Sequence, residues 1–324
     1  MPKELPDRAQ VVIVGGGIIG ASIAYHLTKR GIFDVVILEQ GQLTGGTTWH
    51  AAGLVSQLKS TYSLTKLATY SAQLFEELEE ETGQATGYRT PGSISVAADQ
   101  ERWEELKRGI SMASTVGVDI REIEMDELKE FWPLINLDDL VGALYIPKDG
   151  VTSPVDTTMA LIKGARNGGA QVFEGVSVKS LTKKNGICTG VETEDGLKIE
   201  AETVVMAGGM WTRQLAQTIG INVPLQACEH FYIVTEPLEQ VPKGMPTLRD
   251  PGNYTDFKEE TGKIMAGVFE PRAKIWNLEE IPRDFSFGTL PEDWEHIGPI
   301  FEFACRRVRA VADTRTTLFS NGTE

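Results

Sequence analysis

Two groups of residues in this chain have the types and spacing to do chemistry. The first is Gly15-Gly16-Gly17-Ile18-Ile19-Gly20, followed by Glu39, 19 residues after Gly20. Glycines in a G-x-G-x-x-G pattern let the backbone turn tightly and approach a pyrophosphate, whose charge is met by a helix N-terminus. Gly15 permits the turn, Gly17 the close approach, and Gly20 the packing of helix on strand; Glu39 accepts hydrogen bonds from a ribose diol and repels a 2′-phosphate. The second group is the four histidines, His26, His50, His230 and His296. His50 stands in "TTWHAAG", between Trp49 and the small residues Ala51, Ala52 and Gly53. His230 stands in "ACEHFYIVTE", where strand alternation places it with Cys228 and opposite Glu229 and Phe231. A lone histidine on a mixed strand is commonly a satisfied core residue, and that reading stays open for both. His26, on the helix behind the glycine loop, and His296, near a late helix, read as structural.

The elements that must carry these residues can be read from periodicity. Val11 to Val14 is an apolar run fit for a strand buried on both faces. The glycines lead into a helix that stops at Gly31, and "FDVVILEQ" is a second buried strand, so the stretch is a βαβ unit. Ser63 to Gly83 carries Leu64, Leu67, Leu74 and Leu78 at helical spacing. "GSISVA" alternates like a half-buried strand, residues 101–133 read as two helical pieces broken at Pro133, and a helix from Asp156 to about Arg166 starts on a capping Asp. From Ala170 to Gly209 the pattern is an antiparallel meander, with hairpin signals at Asn185-Gly186 and Asp195-Gly196 and a last apolar strand, Thr203 to Met206. Phe231 to Thr235 and Lys263 to Phe269 read as strands, and Trp294 to Ala310 as a helix.

The fingerprint alone does not separate FAD from NAD. A plain NAD domain would continue with further βα units. Here the meander returns a strand with glycines at its ligand-side end, and "TTWHAAG" brings a loop back to the same place, which points to FAD. The expected fold class is α/β: an FAD-binding Rossmann-like sheet with an antiparallel meander, interleaved with a mixed or antiparallel substrate domain. The expected division is 8–90 with 151–220 for FAD binding and 91–150 with 221–324 for substrate.

Composition narrows the partners. A net charge of −15 over 324 residues argues against nucleic acid or an anionic membrane, because phosphate binding needs a basic face. Glycine, 33 of 324 residues, exceeds the usual ~7%, which fits tight turns and close approach to a ligand. Cys188, Cys228 and Cys305 show no metal spacing and fit a reducing compartment. No stretch is long and apolar enough to span a bilayer, and the N-terminus has no signal core, so a cytoplasmic location, or the mitochondrial matrix in a eukaryote, is expected.

From about Gln10 onward the chain resembles the N-terminal flavin domain of the sarcosine and dimethylglycine dehydrogenase family, within the D-amino-acid-oxidase-like amine oxidoreductases. The resemblance rests on the GGGIIG loop, "LEQG", "GTTWHAAGL", "ELEEETG", "GALYIPKDG", "EHFYIVTE" and "EDWEH". It implies oxidation of the C–N bond of a small N-methylated amine, with FAD bonded covalently through His50 and with His230 as the catalytic histidine. The residues implied to hold FAD are Gly15, Gly17, Ile18, Ile19, Gly20, Glu39, Gln40, Thr47, Thr48, His50, Leu54 and Val178. The implied partners are a small N-methylated amino acid and an electron acceptor that the residues do not specify; no metal is implied.

The chain departs from the family pattern in two places. Where the family carries a tyrosine in a "YLR"-like strand, an ungapped match of "LRDPGNYTDFKEE" places Asp256, with Tyr254 two residues earlier. Family members also continue past "LFSNGTE", so a truncated flavin and substrate region is expected. A competing reading is a non-catalytic regulatory protein on the same fold, resembling the regulatory subunit of pyruvate dehydrogenase phosphatase. That subunit has an "ACEHFY"-like stretch but lacks the flavin-linking histidine, so His50 favours the enzyme over this reading or an inactive fragment.

Overall fold

The computed structural model describes residues 4–323. Strand β1 (Arg8–Val14) runs into the glycine loop, helix α1 (Ile18–Lys29) leaves it, and β2 (Val35–Leu38) follows. Then come the four-residue helix α2 (Thr47–His50), the short strand β3 (Leu54–Val55) and the long helix α3 (Tyr62–Thr82). The chain next forms β4 (Ser93–Ala97), α4 (Gln100–Val116), β5 (Arg121–Ile123), α5 (Met125–Phe131), β6 (Gly142–Ile146) and β7 (Gly150–Val151). Helix α6 (Pro154–Asn167) and β8 (Gln171–Phe173) lead to the meander β9 (Val178–Lys184), β10 (Ile187–Thr193) and β11 (Lys198–Met206), then α7 (Thr212–Gln217). The last part holds β12 (Glu229–Thr235), β13 (Thr247–Asp250), β14 (Thr255–Glu260), β15 (Lys263–Val268), α8 (Trp294–Arg307) and β16 (Thr316–Thr323).

One six-stranded sheet has the order β8-β2-β1-β11-β10-β9. Its first four strands are parallel, and β10 and β9 are antiparallel. The meander therefore does return a strand beside β1. Val11, Ile13, Val35 and Ile37 pack under α1, α3 and α6, whereas Val12, Val36 and Leu38 pack against the meander and α7. Burial on both faces explains why β1 and β2 read as unbroken apolar runs.

The second sheet has eight strands, β16-β12-β15-β14-β13-β4-β6-β5, antiparallel except where β13 meets β4. One face, with Ile233, Leu248, Phe257, Ile264, Ala266 and Ile94, forms a core with Leu128, Trp132, Ala304 and Val308. The opposite face of β12, β14 and β15 carries His230, Tyr232, Asp256, Lys258, Met265 and Gly267. Arg307 of α8 is buried and ties the core side of this sheet to a loop: its Nε donates to Asp250 Oδ2 (2.7 Å), and its Nη1 donates to Asp139 Oδ1 (2.7 Å) and to the carbonyl of Asn136 (2.7 Å).

Three local expectations need correction. Helix α6 starts at Pro154, and its cap is Ser153, whose Oγ accepts from Asp156 N; Pro at the first helical position needs no donor. Of the four leucines in α3 only Leu74 and Leu78 are buried, packed with α6, while Leu64 and Leu67 stay 50% and 61% exposed. Strand β4 is buried on both faces rather than half-buried, because it lies mid-sheet between β13 and β6 with α4 packed on it. The β3–β7 ladder, β5 and β16 had no periodicity long enough to announce them.

Candidate functional site

The glycine loop is held by contacts that only glycine permits. A Cβ on Gly15, where φ is +113°, would lie 2.3 Å from the Ala207 carbonyl oxygen, and one on Gly20 would lie 2.0 Å from that of Gly15. The loop is thus clamped between α1 and the end of β11. Glu39 stitches the tips of β1 and β2: it accepts from Gly16 N at 2.7 Å and Gly41 N at 2.9 Å. Burial pushes its carboxyl up, opposed by the N–H groups of Gly41, Gly16 and Gln40. The cap of α1, Gly17, has no side-chain hydrogen bond, and Ile18 N donates to Thr48 Oγ1 at 3.0 Å. Thr48 therefore joins the start of α1 to the helix that carries His50.

Beyond this loop lies a cavity of about 350 Å³ between the α2–β3 segment and the second sheet. The α2–β3 segment supplies Thr47, Thr48 and His50 through Val55, with Ile18, Phe75, Thr152, Pro154 and Thr157 beside them. The second sheet and the residues continuing it supply His230, Tyr232, Asp256, Met265, Gly267, Phe269, Ser320, Gly322 and Thr323. His50, Thr47, Thr48, Leu54, Ile18 and His230, predicted from distant segments, thus meet at one cavity. Ile19 is 62% exposed at the start of α1 and does not line it. Gln40 sits beyond Glu39, and Val178 packs half-buried with the apolar cluster of Phe173 and Leu181. Neither lines the cavity.

His50 is buried, and among the described residues neither ring nitrogen has a hydrogen-bond partner. Burial lowers its pKa to about 4, so the imidazole is neutral at ordinary pH. Its ring lies on Gly322, where an added Cβ would come within 2.7 Å of Cγ and Nδ1. Gly322 pairs with His230 across β16 and β12, so both histidines adjoin one glycine. Trp49 flanks the ring, with centroids 4.5 Å apart.

Several residues that support the site were missed. Lys258 is buried, and its Nζ donates to the Ala52 carbonyl at 2.8 Å, pinning the loop after His50 to β14. Asp149, also buried, accepts from Gln57 N (2.8 Å) and Ser93 Oγ (2.6 Å) and so fixes the segment beyond β3. Alternation around the core-facing Phe257 could have exposed Asp256 and Lys258 as one outward pair. Of the two candidates at the family tyrosine, Tyr254 lies in the β13–β14 turn, 42% exposed with φ +57°, outside the cavity lining. Asp256 is 4% exposed and lines it, with Oδ1 accepting from Arg249 Nε at 3.0 Å.

The residues present fit a flavin dinucleotide: a glycine loop clamped at a helix start, a ribose-competent acid, and an orphaned neutral imidazole over a glycine that leaves room for a ring. With a parallel sheet closed by a meander, these features define a two-sheet dinucleotide-binding fold. The family model of FAD dependent oxidoreductases matches residues 10–322. The chain belongs to that D-amino-acid-oxidase-like family.

Among its relatives is 4-methylaminobutanoate oxidase (formaldehyde-forming) of Paenarthrobacter nicotinovorans, 38% identical over 99% of this chain and 39% of that protein. The mitochondrial dimethylglycine dehydrogenase of Rattus norvegicus is 36% identical over 99% of this chain and 38% of its own length. The mitochondrial pyruvate dehydrogenase phosphatase regulatory subunit of Mus musculus is 40% identical over 95% of this chain and 35% of its own. The chain therefore spans between 35% and 39% of the length of these three relatives. The same fold is seen in the crystal structure of L-proline dehydrogenase from P. horikoshii, with a TM-score of 0.86, 23% identity, and coverage of 98% of this chain and 82% of that one. Among the described residues no helix is long and apolar enough to cross a membrane.

Proposed function

We propose that this chain forms the flavin and substrate region of an oxidoreductase that demethylates a small N-methylated amine of the sarcosine, dimethylglycine or 4-methylaminobutanoate type, with FAD bonded to His50. The observation that carries this reading is His50, buried at the cavity with two unpartnered ring nitrogens. A buried polar group is normally hydrogen-bonded, and leaving one unmet costs about 1–3 kcal/mol. A covalent bond through one nitrogen removes that atom's share of the cost, and the neutral imidazole has the lone pair such a bond needs. FAD, when bound, supplies the acceptor for a hydride from the substrate's N-methyl carbon.

This chain's own residues hold and orient. The glycine loop and α1 meet the pyrophosphate, and Glu39 takes the ribose hydroxyls. Lys258 and Thr48 set the loop on which His50 stands. His230 and Tyr232 wall the cavity from β12 and place the amine. Met265, Phe269, Leu54 and Val55 keep water away while the carbon is oxidised. The iminium left on the substrate then takes up water and yields formaldehyde and the demethylated amine. The relationship to a regulatory subunit is also compatible with a non-catalytic role, but the orphaned imidazole favours the enzyme.

The test is acid precipitation of the FAD-loaded protein followed by in-gel flavin fluorescence. The unmutated chain should retain fluorescent flavin and His50→Ala should not, while sarcosine, dimethylglycine or 4-methylaminobutanoate should bleach the flavin band. Colourless precipitate from the unmutated protein refutes the linkage, and a band that no such amine bleaches refutes the activity.

A further inference from the structure

We propose that Asp256 is the counter-ion for the substrate's nitrogen, so that the cavity admits a secondary or tertiary amine as its ammonium ion and Asp256 then receives the ammonium proton. The inference deepens the function proposed above and rests on it. Among the described residues lining the cavity there is no Lys or Arg, and Asp256 is the only acid. A cation entering this space meets one carboxylate, whose Oδ1 is ion-paired with Arg249 from outside the lining at 3.0 Å, leaving Oδ2 for the newcomer.

The surroundings of Asp256 have the form of a methylammonium site. Asp256 and Tyr232 both lie level with Gly267, on strands either side of it. A Cβ on Gly267 would meet nothing closer than 4.0 Å, so a trough is open between the phenol ring and the carboxylate. Phe269 continues the wall, its ring 4.7 Å from that of His230. Aromatic faces beside a carboxylate favour quaternary and N-methylated cations, because ring quadrupole and anion attract the same charge. Arg249 approaches Asp256 along the sheet and is not a lining residue; it holds Oδ1 and offsets part of the desolvation that pushes the carboxyl up. In the proton transfer an N–H bond of the ammonium breaks and an O–H bond forms on Asp256. The nitrogen keeps the electron pair, as it must if the C–H bond is to be oxidised.

The test uses two ligands of one shape on the FAD-loaded chain, with binding read by calorimetry. Trimethylglycine carries a quaternary nitrogen and cannot be oxidised for want of a lone pair. 3,3-Dimethylbutanoate replaces that nitrogen by carbon and keeps the carboxylate, so their difference isolates the positive charge. The unmutated protein should prefer trimethylglycine by roughly 30-fold or more, the scale of a desolvated charge pair. Asp256→Asn should abolish the preference and Asp256→Glu should retain much of it. Equal binding of the two ligands, no detectable binding of trimethylglycine, or a preference that survives Asp256→Asn would overturn the proposal. The comparison in the unmutated protein decides even where a variant fails to fold. Amines that bleach the flavin without this preference would sink the counter-ion alone; an Asp256-dependent preference without bleaching would sink the demethylation reading alone.

Discussion

Replacing Gly322 by Ala perturbs the contact on which the orientation of His50 depends. The new methyl would lie 2.7 Å from His50 Cγ and Nδ1 and 2.9 Å from Cβ. Favourable carbon contacts are about 3.5–4.0 Å, so the ring or the strand must shift by about 1 Å. The strand is held on either side: Asn321 donates to Glu229 Oε2 (2.7 Å) and to the Pro291 carbonyl (2.8 Å), and Thr323 is buried. The ring therefore moves. Overpacking of this kind costs about 1–3 kcal/mol, which lowers the melting temperature of the flavin-free chain by a few degrees. A 1 Å misplacement of a reacting group costs about 100-fold in rate, so covalent flavin should accumulate about two orders of magnitude more slowly. The assay is a time course of acid-stable flavin fluorescence after FAD addition, with melting followed in parallel. Gly298→Ala is the control: an added Cβ there in α8 meets nothing within 4 Å, so the flavin time course should not change. A time course for Gly322→Ala that matches the unmutated protein would refute the claim that this glycine sets the imidazole.

Arg307→Met leaves Asp250 buried without its guanidinium and should destabilise the chain by about 3–5 kcal/mol, read as a shift of the urea midpoint; a change under about 1 kcal/mol would show that the network is solvated. His50 makes stability depend on pH. Its pKa falls from 6.5 in the unfolded chain to about 4 in the folded one, so between those values the unfolded state binds more protons. Stability is fully present above pH 6.5 and lost as pH drops toward 4, by up to about 3 kcal/mol from this group. In flavin-free protein, His50→Ala should flatten that part of the pH profile of the unfolding free energy, and an unchanged profile would contradict the buried neutral imidazole.

The nucleotide half of this protein was legible because its signals are local. A glycine loop between an apolar run and a helix carries its own geometry, and Asn185-Gly186 and Asp195-Gly196 carry that of their turns. Their φ values at Asn185, Gly186 and Gly196 are positive, as such hairpins require. Periodicity erred where burial depends on neighbours far along the chain. Leu64 and Leu67 have the spacing of a core face, yet they lie where no helix covers them. Strand β4 alternates like a half-buried strand, yet both its faces are covered.

The sequence by itself determined the βαβ unit, the acid at the end of its second strand and the histidines worth watching, because each depends on residues within a turn or two. Only the tertiary structure decided that His50 and His230 share one glycine, since Gly322 reaches them through pairing with β12. It likewise chose Asp256 over Tyr254 and brought Lys258 to the Ala52 carbonyl, 206 residues away in sequence. Those choices follow from the register of β14 between β13 and β15. A one-residue slip there would exchange Asp256 for the core-facing Phe257, and ladder register is set by the whole sheet rather than by the strand.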